Sequence, residues 1–346
     1  MNAPARTLLA LGRFRREQRL ALSSAAGAAA YDVEFHESGR EASRWLDSNA
    51  PQVVALDDDP GSRGLCLEAR AQARFAHTPM ISLISELDDL SFAEVFSWGG
   101  DDAILARDGQ ALVARLRALP TAPLPPPHDV RGLALVVEPD RVRRIVLGRV
   151  LRNAGFGVGF AGTAEDALER LSERPHALVV ANAEVGASPE SMLAAARAAG
   201  QDATWIAICA PRDLRAVRGV VESFGNAAVT DGFAPPENVV FLANELSRGG
   251  ASDKRVSRRL LFGTTVLFRG AGREADACGY LYNVSEGGLY VRTLAPPEDD
   301  VVWLELLPPR SDRRVRLEGR VVWRRRFGPS EGATVPPGFG VALHDG

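Results

Sequence analysis

The stretch VVEPDRVRRIVLGRVLRNAGFGVGFAGTAEDALERLSERPHALVV, Val136–Val180, decides how the first two thirds of this chain read. It opens and closes on apolar runs too short for helices, LALVV (Leu133–Val137) and PHALVV (Pro175–Val180). Between them lie an arginine-rich helical segment and a second one, AEDALERLSE (Ala164–Glu173). Continuous apolar runs alternating with amphipathic helices are the pattern of strands buried on both faces of a parallel sheet. A third run, WIAIC (Trp205–Cys209), follows.

Working outward, the same rhythm stands upstream. TLLAL (Thr7–Leu11), PQVVAL (Pro51–Leu56) and PMISLI (Pro79–Ile84) are spaced like their counterparts, which reads as an internal duplication of one α/β unit. Two segments punctuate the chain. PTAPLPPPHD (Pro120–Asp129) holds five prolines and predicts a stiff spacer, and SRGGASD (Ser247–Asp253) a flexible one. The expected domains are 1–119, 131–247 and 254–346, separated by linkers at 120–130 and 248–253, and each is long enough for a core.

Composition is that of a globular protein, 46 % apolar and 25 % charged. Of the 41 basic residues, only Lys254 is a lysine, so no lysine chemistry is available before it. Net charge is −3 overall, −6 over residues 1–250 (26 basic, 32 acidic) and +3 over 251–346 (15 basic, 12 acidic). That balance argues against a protein that coats nucleic acid, and leaves a mildly basic C-terminal module suited to an anion. Cys66, Cys209 and Cys278 are scattered and odd in number, as reduced thiols are. No apolar run reaches the ~18–20 residues of a membrane span, so a cytoplasmic location without membrane contact is expected. His36, His77, His128, His176 and His344 are dispersed, no nucleophile–base pairing is visible, and no helix-turn-helix appears. Neither an enzyme, a resident cofactor or metal, nor a DNA partner is expected.

Both α/β units resemble response-regulator receiver domains, the second through Val136–Val180 and FGNAAVTDGFAPPENVVFLANEL (Phe224–Leu246). The first does so through SGREASRWLDSNAPQVVALDDDPGSRG and WGGDDAI. The resemblance implies a flavodoxin-like doubly wound fold. It also implies a phosphoacceptor aspartate, a magnesium-binding acidic cluster, a lysine and a Ser/Thr. In the second unit these positions read as Ala181, Glu138 with Asp140, Gly232 and Cys209. In the first, Asp57 stands at the acceptor position, with Ile84 and Ala106 at the other two and no carboxylate after Leu11. Asp57–Asp58–Asp59 is therefore expected to be a solvated turn, with Asp57 at most a vestigial phosphoacceptor. Both units read as pseudo-receivers that meet as yet unidentified protein partners, with homodimerisation one expected assembly.

Residues 254–346 change character. TTVLFRG, ACGYLYNV, GLYVRT, VVWLELL, RRVRLEGRVVWRRR and GFGVALHD alternate with turn signals, which predicts a small antiparallel barrel. Trp303 and Trp323 are expected in its core, and Arg324–Arg326 in solvent. KRVSRR (Lys254–Arg259) precedes the barrel and NVSEGG (Asn283–Gly288) lies within it. RxxxR followed by [D/N]xSxxG in a β context resembles the PilZ domain, a bacterial receptor for cyclic di-GMP. The resemblance implies that Arg255 and Arg259 clamp guanine and phosphate from a mobile arm. Asn283 and Ser285 would meet the other guanine edge, and Gly288 would let the backbone approach the base. Lys254, Arg258 and Gly287 are secondary candidates. Arginine suits the task because its planar fork makes paired hydrogen bonds to guanine O6/N7 or to phosphate. The sequence therefore predicts two flavodoxin-like units followed by an all-β PilZ-type barrel, in a cyclic di-GMP effector whose arm orders on binding and reorients the barrel. Two other readings stay open at this stage: a scaffold that no longer binds nucleotide, and a phosphorylation-gated regulator using Asp57.

Overall fold

The computed structural model describes residues 6–75, 77–121, 131–232, 234–247, 259–272, 275–308, 311–328 and 335–343. The first α/β module comprises β1 (Arg6–Leu11), α1 (Arg16–Ala28), β2 (Tyr31–His36), α2 (Gly39–Ser48) and β3 (Val53–Leu56). It continues through α3 (Pro60–Ala71), β4 (Met80–Ile84), α4 (Asp89–Ser97), β5 (Asp102–Leu105) and α5 (Gly109–Ala118). The second repeats the plan with β6 (Leu133–Val137), α6 (Arg141–Asn153), β7 (Gly157–Ala161), α7 (Ala164–Glu173) and β8 (Leu178–Asn182). Then come α8 (Ser191–Ala198), β9 (Thr204–Cys209), α9 (Leu214–Val221), β10 (Ala227–Asp231) and α10 (Asn238–Ser247).

Each module holds a parallel five-stranded sheet, ordered β2-β1-β3-β4-β5 and β7-β6-β8-β9-β10. This is the flavodoxin-like order, and the sheet cores are the apolar runs read from the sequence. Helix starts are chemically marked: Asp88, Asp140 and Thr163 each accept a hydrogen bond from a first-turn amide of α4, α6 and α7.

The C-terminal strands β11 (Leu260–Gly270), β12 (Ala277–Ser285), β13 (Gly288–Arg292), β14 (Val301–Leu306), β15 (Val315–Arg325) and β16 (Gly338–Leu343) close into an antiparallel barrel ordered β11-β12-β13-β16-β15-β14. Val266, Phe268, Leu281, Leu289, Val291, Phe339 and Val341 fill it. Two expectations fail here. Trp303 and Trp323 are 45 % and 47 % exposed, because their neighbours Val302, Leu304 and Val321 take the inward positions. Arg324 is a clamp and not a solvated end: it donates to the Pro297, Glu298 and Asp299 carbonyls ahead of β14.

The chain forms two compact units, and the division is not the one that linkers alone suggest. The first α/β module and the barrel make one unit, and the second α/β module makes the other. One hydrophobic cluster runs from Leu9, Val54 and Phe92 of the first module to Cys278 and Tyr280 of the barrel. Tyr280 stacks on Phe92 at 5.5 Å and meets Phe96 edge-on at 5.4 Å. Gly263 makes room for it, since a Cβ there would lie 2.3 Å from the Tyr280 hydroxyl.

Candidate ligand-binding site

Strand register brings the two barrel motifs together. Leu260 pairs with Val284 and Leu261 with Asn283. Arg259 immediately precedes Leu260, so the base of the RxxxR segment enters the barrel beside NVSEGG. Lys254, Arg255 and Arg258 lie outside the described residues; Arg259 is exposed.

Ser285 pairs with Gly288 across a two-residue turn, Glu286–Gly287, and the Ser285 hydroxyl donates to the Gly288 carbonyl at 3.2 Å. A bulge between Leu281 and Asn283 inserts Tyr282. Were Tyr282 paired in regular alternation, Asn283 would face inward with Leu281; because Tyr282 is the bulge, Asn283 pairs with Tyr290 and shares its outward side. Asn283 is only 3 % exposed, and its Nδ2 finds no hydrogen-bond partner among the described residues. An amide nitrogen left in that state costs about 1–3 kcal/mol, a cost a ligand acceptor would remove. Gly288 has a packing reason to be glycine: a Cβ there would sit 2.3 Å from the Val341 carbonyl of β16.

The ladder continues from Asn283 through Tyr290 and Gly340 to Trp323. Tyr290 donates to the Pro336 carbonyl at 2.7 Å, and burial raises its hydroxyl pKa and keeps it protonated. Trp323 packs on Tyr290 at 5.5 Å. Burial also lowers the pKa of Arg325 nearby.

The positions expected for receiver chemistry are occupied by structural contacts. Asp57 accepts from the Arg13 and Asp59 amides and from the Ser62 hydroxyl, at 2.9, 3.3 and 2.6 Å. Gly12, at φ +144°, stands where a magnesium carboxylate would, and a Cβ there would fall 2.2 Å from Asp57 Cγ. Asp59 caps α3 and Asp58 pairs with Arg63, so the acidic triplet serves its own loop and does not fit a metal.

In the second module the register corrects one assignment. Leu11 opposes Leu56, and Val137 opposes Ala181, so Asp57 corresponds to Asn182 and not to Ala181. Asn182 donates to the Glu138 carboxylate at 3.2 Å and accepts from the Glu184 amide at 2.9 Å. Arg143 lies 3.9 Å from Glu138 and beside Gly232, the position a receiver gives to lysine. An amide thus stands where the first module has the Asp57 carboxylate. Among the described residues, no three His, Cys, Asp or Glu side chains gather as a metal site, and no helix is long and apolar enough to cross a membrane.

The chain thus combines a closed antiparallel barrel with two flavodoxin-like α/β modules. Residues 253–345 match the PilZ domain. No curated protein matches the chain. Among solved structures it is similar to a chemotaxis response regulator of Vibrio cholerae (22 % identity, 32 % of this chain and 96 % of that one, TM-score 0.30). A response regulator of red light signalling in R. palustris gives 19 % over 35 % and 98 %, TM-score 0.29. The E. coli RcsC C-terminus, a linker region with a phosphoreceiver domain, gives 16 % over 71 % and 95 %, TM-score 0.30.

The sequence reading missed the contact between the first module and the barrel. Buried charges carry it: Asp102, Arg115 and Arg292 are each no more than 2 % exposed. An arginine in the apolar face of α5, and an aspartate opening a core strand, were the available signals.

Proposed function

We propose that this protein binds cyclic di-GMP at the junction of β11 with the β12–β13 hairpin and acts by that binding, without catalysis, in the cytoplasm. Arg255 and Arg259 take guanine and phosphate, Asn283 and Ser285 take the second guanine edge, and Lys254, Arg258 and Gly287 lie at the margin. The observation that supports this most is the register pairing Leu260 with Val284 and Leu261 with Asn283, which brings Arg259 to the NVSEGG turn. The orphaned amide of Asn283 supports it too, since the guanine edge offers the acceptor O6 that this nitrogen lacks.

The output passes by protein contacts of the receiver-like modules. A barrel that swings away from the first module is disfavoured, because it would uncover Cys278, Tyr280, Phe92 and Phe96 together. The expected ordering of the arm falls on residues 248–258, which lie outside the described residues.

Calorimetric titration of cyclic di-GMP into the full chain tests the reading. The wild type should bind, and Arg255→Ala and Arg259→Ala should each abolish the heat while the melting profile stays unchanged. A silent wild type, or wild-type affinity in both variants, would overturn it in favour of a scaffold that does not bind nucleotide.

A further inference from the structure

The hairpin that carries NVSEGG at its tip is held at its base by the first α/β module. On β12, the Cys278 carbonyl accepts from Arg115 Nη2 at 2.6 Å, and Tyr280 sits against Phe92 and Phe96. On β13, Arg292 lies over the Phe96 ring, 3.5 Å from its centroid, and donates to the Gly100 carbonyl at 3.1 Å. Just beyond it, the Thr293 hydroxyl and the Leu294 amide donate to Asp102 Oδ2 at 3.3 and 2.8 Å. The same oxygen accepts from Arg115 Nε at 3.1 Å. Asp102 is thus one fully buried carboxylate that joins a strand of the module, its helix α5 and the end of the hairpin.

The distance from this anchor to the tip is short. Gly288 is four residues from Arg292, about 13 Å along an extended strand, and Asn283 is three residues from Tyr280, about 10 Å. Both strands are hydrogen-bonded on each side within the closed barrel, so a shift at the base is carried along the ladder. In the middle of β11, Asp89 accepts from the Thr265 amide and hydroxyl, at 2.6 and 2.8 Å, and from the Thr264 hydroxyl. The strand that delivers Arg259 is therefore pinned to the same module.

We propose that the first α/β module is a positioning partner of the ligand site. Through Asp102 and its contacts it holds the β12–β13 hairpin in the geometry that receives cyclic di-GMP, so the affinity at the tip depends on it. The inference rests on the ligand reading above. Mere adhesion needs only apolar contact; a buried carboxylate with donors from three elements also fixes orientation and register. A tip held in its binding geometry spares the ligand the cost of ordering it.

The experiment compares Asp102→Asn and Thr293→Val with Asp101→Asn in the full-length protein. Asp101 is a buried aspartate that pairs with Arg70 and the Met80 amide inside the module, so its variant controls for general weakening. Two quantities are read: the calorimetric affinity for cyclic di-GMP, and ligand-free amide exchange over residues 279–292. The Asp102 and Thr293 variants should weaken binding, Asp102→Asn by about tenfold, within the usual range of site-to-site coupling. They should also speed exchange at Asn283–Gly288, which Asp101→Asn should not. Unchanged affinity and unchanged tip exchange in both variants would overturn the proposal, as would an equal effect of Asp101→Asn. Should Asp102→Asn fail to fold, Thr293→Val, which removes one hydroxyl, carries the test. If the wild type does not bind cyclic di-GMP, the ligand reading fails, and exchange at the tip still decides whether the module holds the hairpin.

Discussion

Arg115→Met removes the cation from the buried junction while keeping most of the side chain's apolar volume. Arg115 is fully buried, with Nε on Asp102 and Nη2 on the Cys278 carbonyl. Asp102 would keep donors from the Ala103 and Leu294 amides and the Thr293 hydroxyl, but its charge would lose the compensating guanidinium. Removing one partner of a buried pair costs about 3–5 kcal/mol. With a urea slope of about 2–3 kcal/mol/M, that moves the unfolding midpoint down by about 1–2.5 M. The assay is urea unfolding of the full chain with segment-resolved hydrogen exchange. Amides of the first module and of the barrel should lose stability together, by the same amount, while residues 131–247 keep theirs. For the same reason cyclic di-GMP should raise the melting temperature of both parts of that unit, and not of the barrel alone. Barrel amides that stay protected while the first module alone weakens would refute the shared core.

Other outcomes are expected elsewhere. Gly288→Ala should lower the barrel's melting temperature and displace the hairpin, because the new methyl would meet the Val341 carbonyl at 2.3 Å; circular dichroism melting checks it. A small-molecule phosphodonor with magnesium should leave Asp57 unmodified by intact-mass measurement, since its carboxylate is engaged by three donors and Gly12 supplies no metal ligand. Asn182→Asp would set a second carboxylate about 3 Å from Glu138, where like charges disfavour ionisation. The folded pKa of that pair is then raised, so the second module should be destabilised above the carboxylate range and recover as pH falls through it. His176 shows the opposite sense: burial lowers its pKa, so the folded state prefers the neutral ring. The second module should lose stability as pH falls below about 6.5, and His176→Gln should flatten that dependence in pH-resolved melts.

Legibility in the sequence followed burial pattern and failed where two elements distant in sequence meet. LALVV became β6 and AEDALERLSE became α7 with the boundaries expected, because a run buried on both faces and a capped amphipathic helix are local signals. The offset between Ala181 and Asn182 was not local. Strand ends are fixed by which residue opposes Val137 across the sheet, and that register is a tertiary fact. Trp303 and Trp323 were misplaced for a related reason. On strands with apolar residues at consecutive positions, alternation does not say which set faces inward, and closure of the barrel put Val302, Leu304 and Val321 there. The nearness of Arg259 to NVSEGG was implied by motif order, but the Tyr282 bulge that aims Asn283 outward has no composition signal.

The positions where a receiver would carry its phosphorelay residues are filled differently in each module. In the second, Glu138 accepts from Asn182 and lies 3.9 Å from Arg143. In the first, loop amides engage the Asp57 carboxylate, and a Cβ at Gly12 would fall against it. Asp102 and Arg115, on β5 and α5, are buried against the barrel. A carboxylate buried there without donors would be costly, and the barrel supplies two of its donors. The module and the barrel are therefore each incomplete alone. The first module expressed without residues 256–346 should expose Asp102, Phe92 and Phe96 and unfold or aggregate; a soluble, protected fragment with intact exchange at β5 would show that the barrel is a guest on a self-sufficient domain.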